Sequence, residues 1–264
     1  MLQIFQKKNF LIDHLSGLVD IHNHILPGID DGAKTTEDSI ALIKALGQLG
    51  INRFICTPHI MHHYYENTPK SISKANSELQ KALKDQNIQV HIDIAAEHMV
   101  DDNYETLLDS NTIMPLGPSH VLVEMSYLQA SINLDYAMER TIQKQLFPIL
   151  AHPERYVYFH KKPKKYAAFK EEQIAFQMNL LSIGGYYGKE VQKMTLSLLD
   201  KGFYDFVGTD VHRMQHVKAL KEITLSNKTL DVLLPLINTT IETWKAIIPS
   251  FIHILKTFPW TTSI

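Results

Sequence analysis

One cysteine, Cys56, is all the thiol this 264-residue chain has, so no disulfide framework staples it and a reducing compartment suits it. Long hydrophobic runs are missing as well: no window reaches the roughly 20 apolar residues of a membrane-crossing helix. Met1 to Gly17 contains Lys7 and Lys8 but no uninterrupted apolar stretch of the kind a secretory signal carries. Nor is there a surplus of one charge, since 26 basic residues stand against 28 acidic ones, which leaves no basic stripe for nucleic acid. Arginine is scarce, limited to Arg53, Arg140, Arg155 and Arg213. The chain contains no Gly/Ser/Pro linker, repeat or low-complexity segment, and at 45% apolar residues it can bury one full core. The expectation is a cytoplasmic protein of one domain spanning 1–264, with no membrane insertion and no nucleic-acid partner; the oligomeric state is left open.

What is present is a set of histidines and carboxylates at repeated positions. Asp20-Ile21-His22-Asn23-His24 follows the apolar Leu18-Val19, and residues two apart on a strand share a face, so both imidazoles can reach one metal ion. Asp30-Asp31-Gly32 comes shortly after. Five later apolar runs end in the same way: Phe54 to Pro58 at His59, Val90 to Ala96 at Glu97, Val121 to Val123 at Glu124, Pro148 to Ala151 at His152, and Phe206 to Thr209 at Asp210 and His212. Such short runs, bounded by Pro, Gly or Ser, read as strands buried on both faces. Helix-compatible stretches separate them, and the alternation predicts an α/β fold of parallel strands whose carboxyl ends carry the chemistry. His22, His24, Asp31, His59, Glu97, Glu124, His152, Asp210 and His212 would then converge on one mouth.

Taken in order, Asp20 to His24, Asp30-Asp31-Gly32, Thr57-Pro58-His59, Ala96-Glu97, the Val123-Glu124 pair, Ala151-His152-Pro153-Glu154-Arg155-Tyr156 and Thr209-Asp210-Val211-His212 resemble the PHP (polymerase and histidinol phosphatase) superfamily. The segment His24 to Gly32 and the His-Pro-Glu-Arg-Tyr run are most similar to the bacterial metal-dependent tyrosine phosphatases of the CpsB and YwqE type. The resemblance covers roughly residues 15–245, with a C-terminal helical extension beyond. It implies a distorted (β/α)7 barrel and a divalent metal cluster, taken as three ions, with Mn, Fe or Zn suited to a donor set of imidazole and carboxylate without thiolate. By matching position, His22, His24, Glu97 and Asp210 would surround one metal. Glu97 would bridge to a second held also by Glu124 and His152, and Asp31, His59 and His212 would hold the third.

The same resemblance implies hydrolysis of a phosphate monoester, by metal-bound hydroxide attacking phosphorus in line with a leaving phenolate and without a phosphoenzyme. Asp210 and His212 are expected in the catalytic set, and Arg155, three residues after His152, as a planar cation that grips phosphate oxygens. A cysteine-based phosphatase would need Arg six positions after its nucleophile; position 62 is His62, and Cys56 reads as a small buried hydrophobe. Where the family supplies a second phosphate-binding arginine several residues after the final histidine, this chain offers only Arg213 and then His216, so both are candidates for substrate binding. Tyr64 and Tyr65, in the aromatic loop after His59, are candidates for stacking on a phenyl ring, or else for packing against the rim. Tyr186 and Tyr187, placed at the end of a strand that lacks a ligand, are further rim candidates, whereas His98 is expected to flank the site without ligating.

Three functions remain open at this level: a protein tyrosine phosphatase acting on a bacterial tyrosine kinase of capsular or exopolysaccharide synthesis, a small-molecule enzyme such as histidinol phosphatase, and a non-catalytic PHP module. Three further structural expectations follow from the sequence. Thr35 to Asp38 reads as a capped helix start, with Ile40, Ile43 and Leu46 facing inward and Gly50 closing the turn. Lys161 to Lys165 reads as a solvated basic loop. Leu230 to Ile264, interrupted by Pro235, Pro249 and Pro259, reads as several packed helices with Trp244 in the core.

Overall fold

A computed structural model describes residues 8–257, with side chains described through residue 247. In chain order the elements are β1 (Asn9–Phe10), β2 (Val19–Asp20), α1 (Thr36–Gly47), β3 (Arg53–Cys56), β4 (His59–Ile60), α2 (Pro69–Asp85), β5 (His91–Ile94), β6 (Glu97–Met99), α3 (Tyr104–Asp109), β7 (His120–Glu124), α4 (Leu134–Gln143), β8 (Phe147–Ala151), α5 (Pro163–Glu171), β9 (Ala175–Asn179), α6 (Leu180–Ile183), α7 (Lys189–Asp200), β10 (Phe206–Gly208), α8 (Met214–Glu222), β11 (Thr224–Leu225) and α9 (Asn227–Thr257). Strand and helix alternate, and the ladders are parallel in the orders β2-β3-β5 and β4-β6-β7-β8-β9-β10. Only β1 and β11 pair antiparallel, away from the main sheet.

The two ladders are parts of one ring. β3 runs into β4 through Thr57-Pro58, and β5 into β6 through Ala95-Ala96; Pro58 has no N–H to give a regular ladder. Pairing continues across the breaks, with the Ala95 N–H donating to the Cys56 carbonyl at 2.8 Å and the Glu97 N–H to the Pro58 carbonyl at 3.1 Å. The opposite gap closes where Asp210 N–H donates to the His22 carbonyl at 2.7 Å and His24 N–H to the Val211 carbonyl at 3.0 Å, around a parallel bridge between Asn23 and Val211. Buried Asp20 reinforces that seam by accepting from the Thr209 N–H at 2.9 Å and its hydroxyl at 2.6 Å. Seven strand positions thus make the distorted (β/α)7 barrel.

Period-two alternation places an apolar floor beneath the strand ends. Val19, Ile21, Ile55, Leu122, Ile149 and Phe206 form an inner cluster with Trp244 of α9, whose ring meets His120 and Phe206 edge-on at centroid distances of 5.3 and 5.4 Å. A larger cluster fills the space between ring and helices; Ile40, Ile43 and Leu46 of α1 join it as their spacing predicts. Thr35 caps α1 through a reciprocal pair with Asp38. That helix ends at Gly47, and Gly50, at φ +84°, forms the turn beyond it, where a side chain would meet the Ser16 Cα at 2.7 Å.

Three expectations change. The C-terminal stretch is one helix, α9, which passes through Pro235 and Pro249 rather than breaking there. Pro235 is exposed, so the carbonyl that loses its intrahelical donor is left to water; Pro259 and the final residues lie outside the described residues. The strand before Tyr186 ends at Asn179, and Leu180–Ile183 is a short helix capped by the Asn179 side chain. Of the basic run, Pro163 to Lys165 belongs to the first turn of α5, with Lys165 paired to Asp135 at 2.7 Å. Among the described residues no helix is long and apolar enough to cross a membrane.

Because Trp244 plugs the inner floor, Trp244→Ala is expected to lower stability by about 3–5 kcal/mol, read by denaturant unfolding, with Trp244→Phe losing clearly less. Equal, small losses for both would show that the floor does not depend on this ring.

Candidate metal centre

At the carboxyl ends of the strands the inward faces change from apolar side chains to imidazoles and carboxylates that could hold a metal ion. Leu122 is followed two residues on by Glu124, Ala95 by Glu97, and Gly208 by Asp210. Gly208 must lack a side chain, since a Cβ there would lie 2.8 Å from the His22 Cβ and 2.9 Å from Gln177 Nε2. His152 and Asp210 take left-handed backbone, at φ +35° and +52°, where strained conformations at functional sites concentrate.

Glu97 is the hub. Its Oε2 lies 3.1 Å from His22 Nε2, 3.4 Å from His24 Nε2 and 3.1 Å from His59 Nδ1, and its Oε1 is 3.1 Å from His152 Nε2. Asp210 Oδ1 faces His22 and His24 Nε2 at 3.3 and 3.4 Å. Glu124 Oε1 sits 2.8 Å from His59 Nδ1, and half-exposed Asp31 reaches His59 and His212 at 3.4 and 3.5 Å. All nine expected donors come together, in the groups His22–His24–Asp210, His22–Glu97–His152, His59–Glu97–Glu124 and His24–Asp31–His59–His212. The grouping differs from the one that the resemblance implies: Glu124 faces His59 rather than His152, His152 joins His22 and Glu97, and His24 also joins Asp31, His59 and His212.

The donor set fits a cation. Gln177 Oε1 accepts from His22 Nδ1 at 2.8 Å, its amide nitrogen being used by the Met178 carbonyl, and Asp30 Oδ2 accepts from His24 Nδ1 at 2.8 Å. Both inner Nε2 atoms therefore present lone pairs, 3.3 Å apart, toward carboxylate oxygens that also can only accept. Glu97 Oε2, Glu124 Oε1 and His59 Nδ1 are buried without a hydrogen-bond partner. Divalent ions, or protons, relieve such crowding.

Burial alone would push the imidazoles down and the carboxylates up. The facing carboxylates nevertheless hold His24 and His59 well above the ordinary imidazole range, and the imidazoles hold Glu97 and Asp210 well below the carboxylate range. His98 behaves differently. Burial pushes it down to about 4, and its ring donates to the Leu122 carbonyl and accepts from the Met114 N–H, so it is a neutral core group outside the donor clusters.

Above the metal donors lies a cavity of about 990 Å³, lined among others by Arg155, Tyr127, Tyr187, Tyr64 and Arg213. The Arg155 guanidinium is clamped between the Tyr127 ring at 4.4 Å and the Tyr187 ring at 4.0 Å, with Nη1 donating to Asp210 Oδ2 at 2.8 Å. Asn179 Nδ2 donates to that same oxygen at 2.7 Å. Tyr65 stacks on His59 at 5.4 Å, whereas Tyr64 is 79% exposed at the mouth. Tyr186 meets His216 edge-on. Sequence reasoning did not reach Gln177, Asn179, Asp30 or Tyr127. The first two had a signal, polar residues alternating with Phe176 and Met178 in a buried strand.

Parallel strands closed into a ring, with clustered imidazoles and carboxylates at their carboxyl ends, define a metal-dependent hydrolase of the PHP type. The sequence model of the CpsB/CapC family, described as capsular polysaccharide synthesis, matches residues 18–224, and the chain belongs to that family. Among similar proteins, tyrosine-protein phosphatase YwqE of Bacillus subtilis is 29% identical over 199 residues, 75% of this chain and 78% of its own length. Tyrosine-protein phosphatase CpsB of Streptococcus pneumoniae is 22% identical over 203 residues, 75% of this chain and 84% of its own. A solved structure from work on YwqE and CpsB, described as unique metal-dependent tyrosine phosphatases, matches with TM-score 0.76 at 26% identity, covering 88% of this chain and 94% of that one. Histidinol phosphate phosphatase of Lactococcus lactis shares the fold, with TM-score 0.51 at 15% identity over 85% of this chain and 94% of that one.

Two outcomes are expected here. Asp30→Asn, which weakens the group orienting His24, should lower metal affinity by about 10–100-fold, measured by competition with a chelating dye; unchanged affinity would remove Asp30 from that role. The second concerns pH. Imidazoles raised in the folded state contribute stability that is fully present below the unfolded value of about 6.5 and is lost as pH rises through the folded values. Protein stripped by chelator should therefore lose thermal stability as pH rises above about 6.5, while metal-loaded protein should not. Parallel melting curves for the two forms would contradict this.

Proposed function

We propose that the chain is a metal-dependent protein tyrosine phosphatase. The observation that carries this reading is the Arg155 guanidinium, held by Asp210 and two tyrosine rings directly beside the metal donors, at the base of a cavity with an aromatic mouth. Bound metals, three ions with Mn favoured and Fe or Zn as substitutes, would withdraw charge from the phosphate oxygens and make water nucleophilic near neutral pH. His22, His24, Asp31, His59, Glu97, Glu124, His152, Asp210 and His212 would hold them. Arg155, with one Nη committed to Asp210 and its guanidinium packed against the Tyr127 and Tyr187 rings, keeps its remaining N–H donors for phosphate. Asn179 and Arg155 together fix the Asp210 carboxylate, so the cation and the metal ligand are positioned as one unit.

Arg213 serves as a second anion contact. Its Nε–H donates to His216 Nε2 at 3.3 Å, and His216 Nδ1 lies 3.2 Å from the Asp210 carbonyl, to which it donates. Burial and the neighbouring His212 push His216 down to about 4, so it stays neutral and anchors Arg213 rather than touching phosphate. Tyr64 and Tyr65 flank the entry for a phenyl ring. The family's link to capsular polysaccharide and the relatives' tyrosine phosphatase activity support a phosphotyrosine protein as substrate, specifically a bacterial tyrosine kinase of exopolysaccharide assembly, in the cytoplasm. The matched span supports one phosphatase domain, with core about 15–245 and a C-terminal helical extension beyond it.

Parallel assays on phosphotyrosine peptide, phosphoserine peptide and histidinol phosphate, with chelator and with added Mn, test this. Chelator-sensitive preference for phosphotyrosine is expected; preference for histidinol phosphate, or metal binding without turnover on any of the three, would overturn it. Arg155→Ala should lower turnover about 100-fold or more with metal content unchanged. Arg155→Lys should not restore it, because a point charge cannot replace the fork. Full activity in either variant would remove Arg155 from the mechanism.

A further inference from the structure

We propose that His62, His63 and Asp102 form a second metal site, at the rim of the cavity and separate from the central cluster, which takes a divalent transition ion of the zinc, nickel or cobalt kind. The three share no ligand with the central groups, and their donor atoms lie within 4.8 Å of one another. The inference does not rest on the phosphatase reading.

The site is built by two loops that are locked together through atoms other than the ligands. Met61 and Tyr65 exchange backbone bonds, N–H to carbonyl, at 2.9 and 2.8 Å, which closes the loop after β4 into a tight turn with both histidines on it. His63 adopts φ +67°, an uncommon conformation for a non-glycine residue, and this brings its ring onto that of His62 at 3.7 Å, 23° from parallel. From the loop after β6, Asp101 Oδ2 accepts the His62 backbone N–H at 2.8 Å and its Oδ1 accepts from the Asn103 N–H at 2.9 Å. Asp101 is thereby spent on anchoring, and Asp102 Oδ1 is left 2.8 Å from His62 Nδ1. That spacing is close to the separation of two donors bound to one ion at roughly 2.0–2.2 Å each, so a cation can take the place of the shared proton.

Charge and donor type select the ion. Glu66, Asp101 and Asp102 surround the turn, and none of them pairs with Lys or Arg among the described residues. Two imidazoles and one carboxylate suit borderline ions, whereas calcium and magnesium favour all-oxygen shells. His62, Asp101 and Asp102 also line the main cavity, so a bound divalent ion would offset most of the negative charge that Glu66, Asp101 and Asp102 place on this side of the mouth.

The test uses the full-length protein with its central cluster loaded with Mn. Titration with Ni(II), followed by desalting and elemental analysis, should give about one more Ni per chain in the wild type than in His63→Ala or Asp102→Asn, with Mn content and basal turnover equal in all three. In a second wild-type sample whose central cluster is loaded with diamagnetic Zn(II) instead of Mn, further Zn(II) should shift the imidazole resonances of His62 and His63 together. Equal Ni uptake in wild type and variants overturns the proposal. Loss of Mn together with Ni in the variants, or His62 and His63 resonances that ignore Zn, overturns it as well.

Discussion

Burying the Glu97 carboxylate among His22, His24, His59 and His152, at 3.1–3.4 Å from each, is the constraint on which the rest of the molecule depends. A carboxylate without solvent must find compensating positive charge. Here every neighbour is an imidazole, and the outer nitrogens of His22 and His24 are held by Gln177 and Asp30, so the compensation comes from protons or metal ions. The barrel supplies the crowding. Four of its strand positions must end at one point, and the glycine at 208 allows His22 and Gln177 to close over β10. The price of this concentration is strained backbone at His152 and Asp210.

Much of this architecture is legible in the sequence, because strand periodicity and metal chemistry act on the same residues. A strand buried on both faces reads as an apolar run, and its carboxyl end shows when the run stops at His, Asp or Glu. Thr35 and Asp38 likewise display the start of α1 through a local capping pair. What stays hidden depends on long-range contacts. Gln177 and Asn179 sit 155 and 31 residues from the His22 and Asp210 that they orient; their alternation with Phe176 and Met178 marks them as buried polar groups but does not name the residues they hold. Tyr127 covers Arg155 only once the loop after β7 folds over the mouth. The continuous α9 was concealed for a different reason: a proline usually stops a helix, and Pro235 is tolerated because its turn faces solvent.

Arg155 connects the metal donors to the substrate space. Its position is over-determined, by Asp210 and by the Tyr127 and Tyr187 rings, so little reorganisation is needed when an anion arrives. Arg213 is held more loosely, on an exposed arm steadied by a neutral histidine. Of the two arginines that line the cavity, Arg155 is therefore the more constrained and Arg213 the more adaptable. Around both, the mouth is unusually apolar for a charged reaction: Leu128 is 91% exposed and Ile132 fully so, and both line the cavity with Tyr64. An aryl phosphate matches that combination better than a polar alkyl phosphate does.

A crystal structure of the protein grown with Mn and soaked with inorganic phosphate, with anomalous data collected at the Mn edge, tests the central claim most directly. Anomalous peaks should lie between Glu97, Asp210 and the surrounding histidines, with the phosphate spanning those peaks and the free donors of Arg155. Phosphate bound away from Arg155, or metal that avoids Glu97, would contradict the assignment of this mouth as one metal-and-arginine phosphate site.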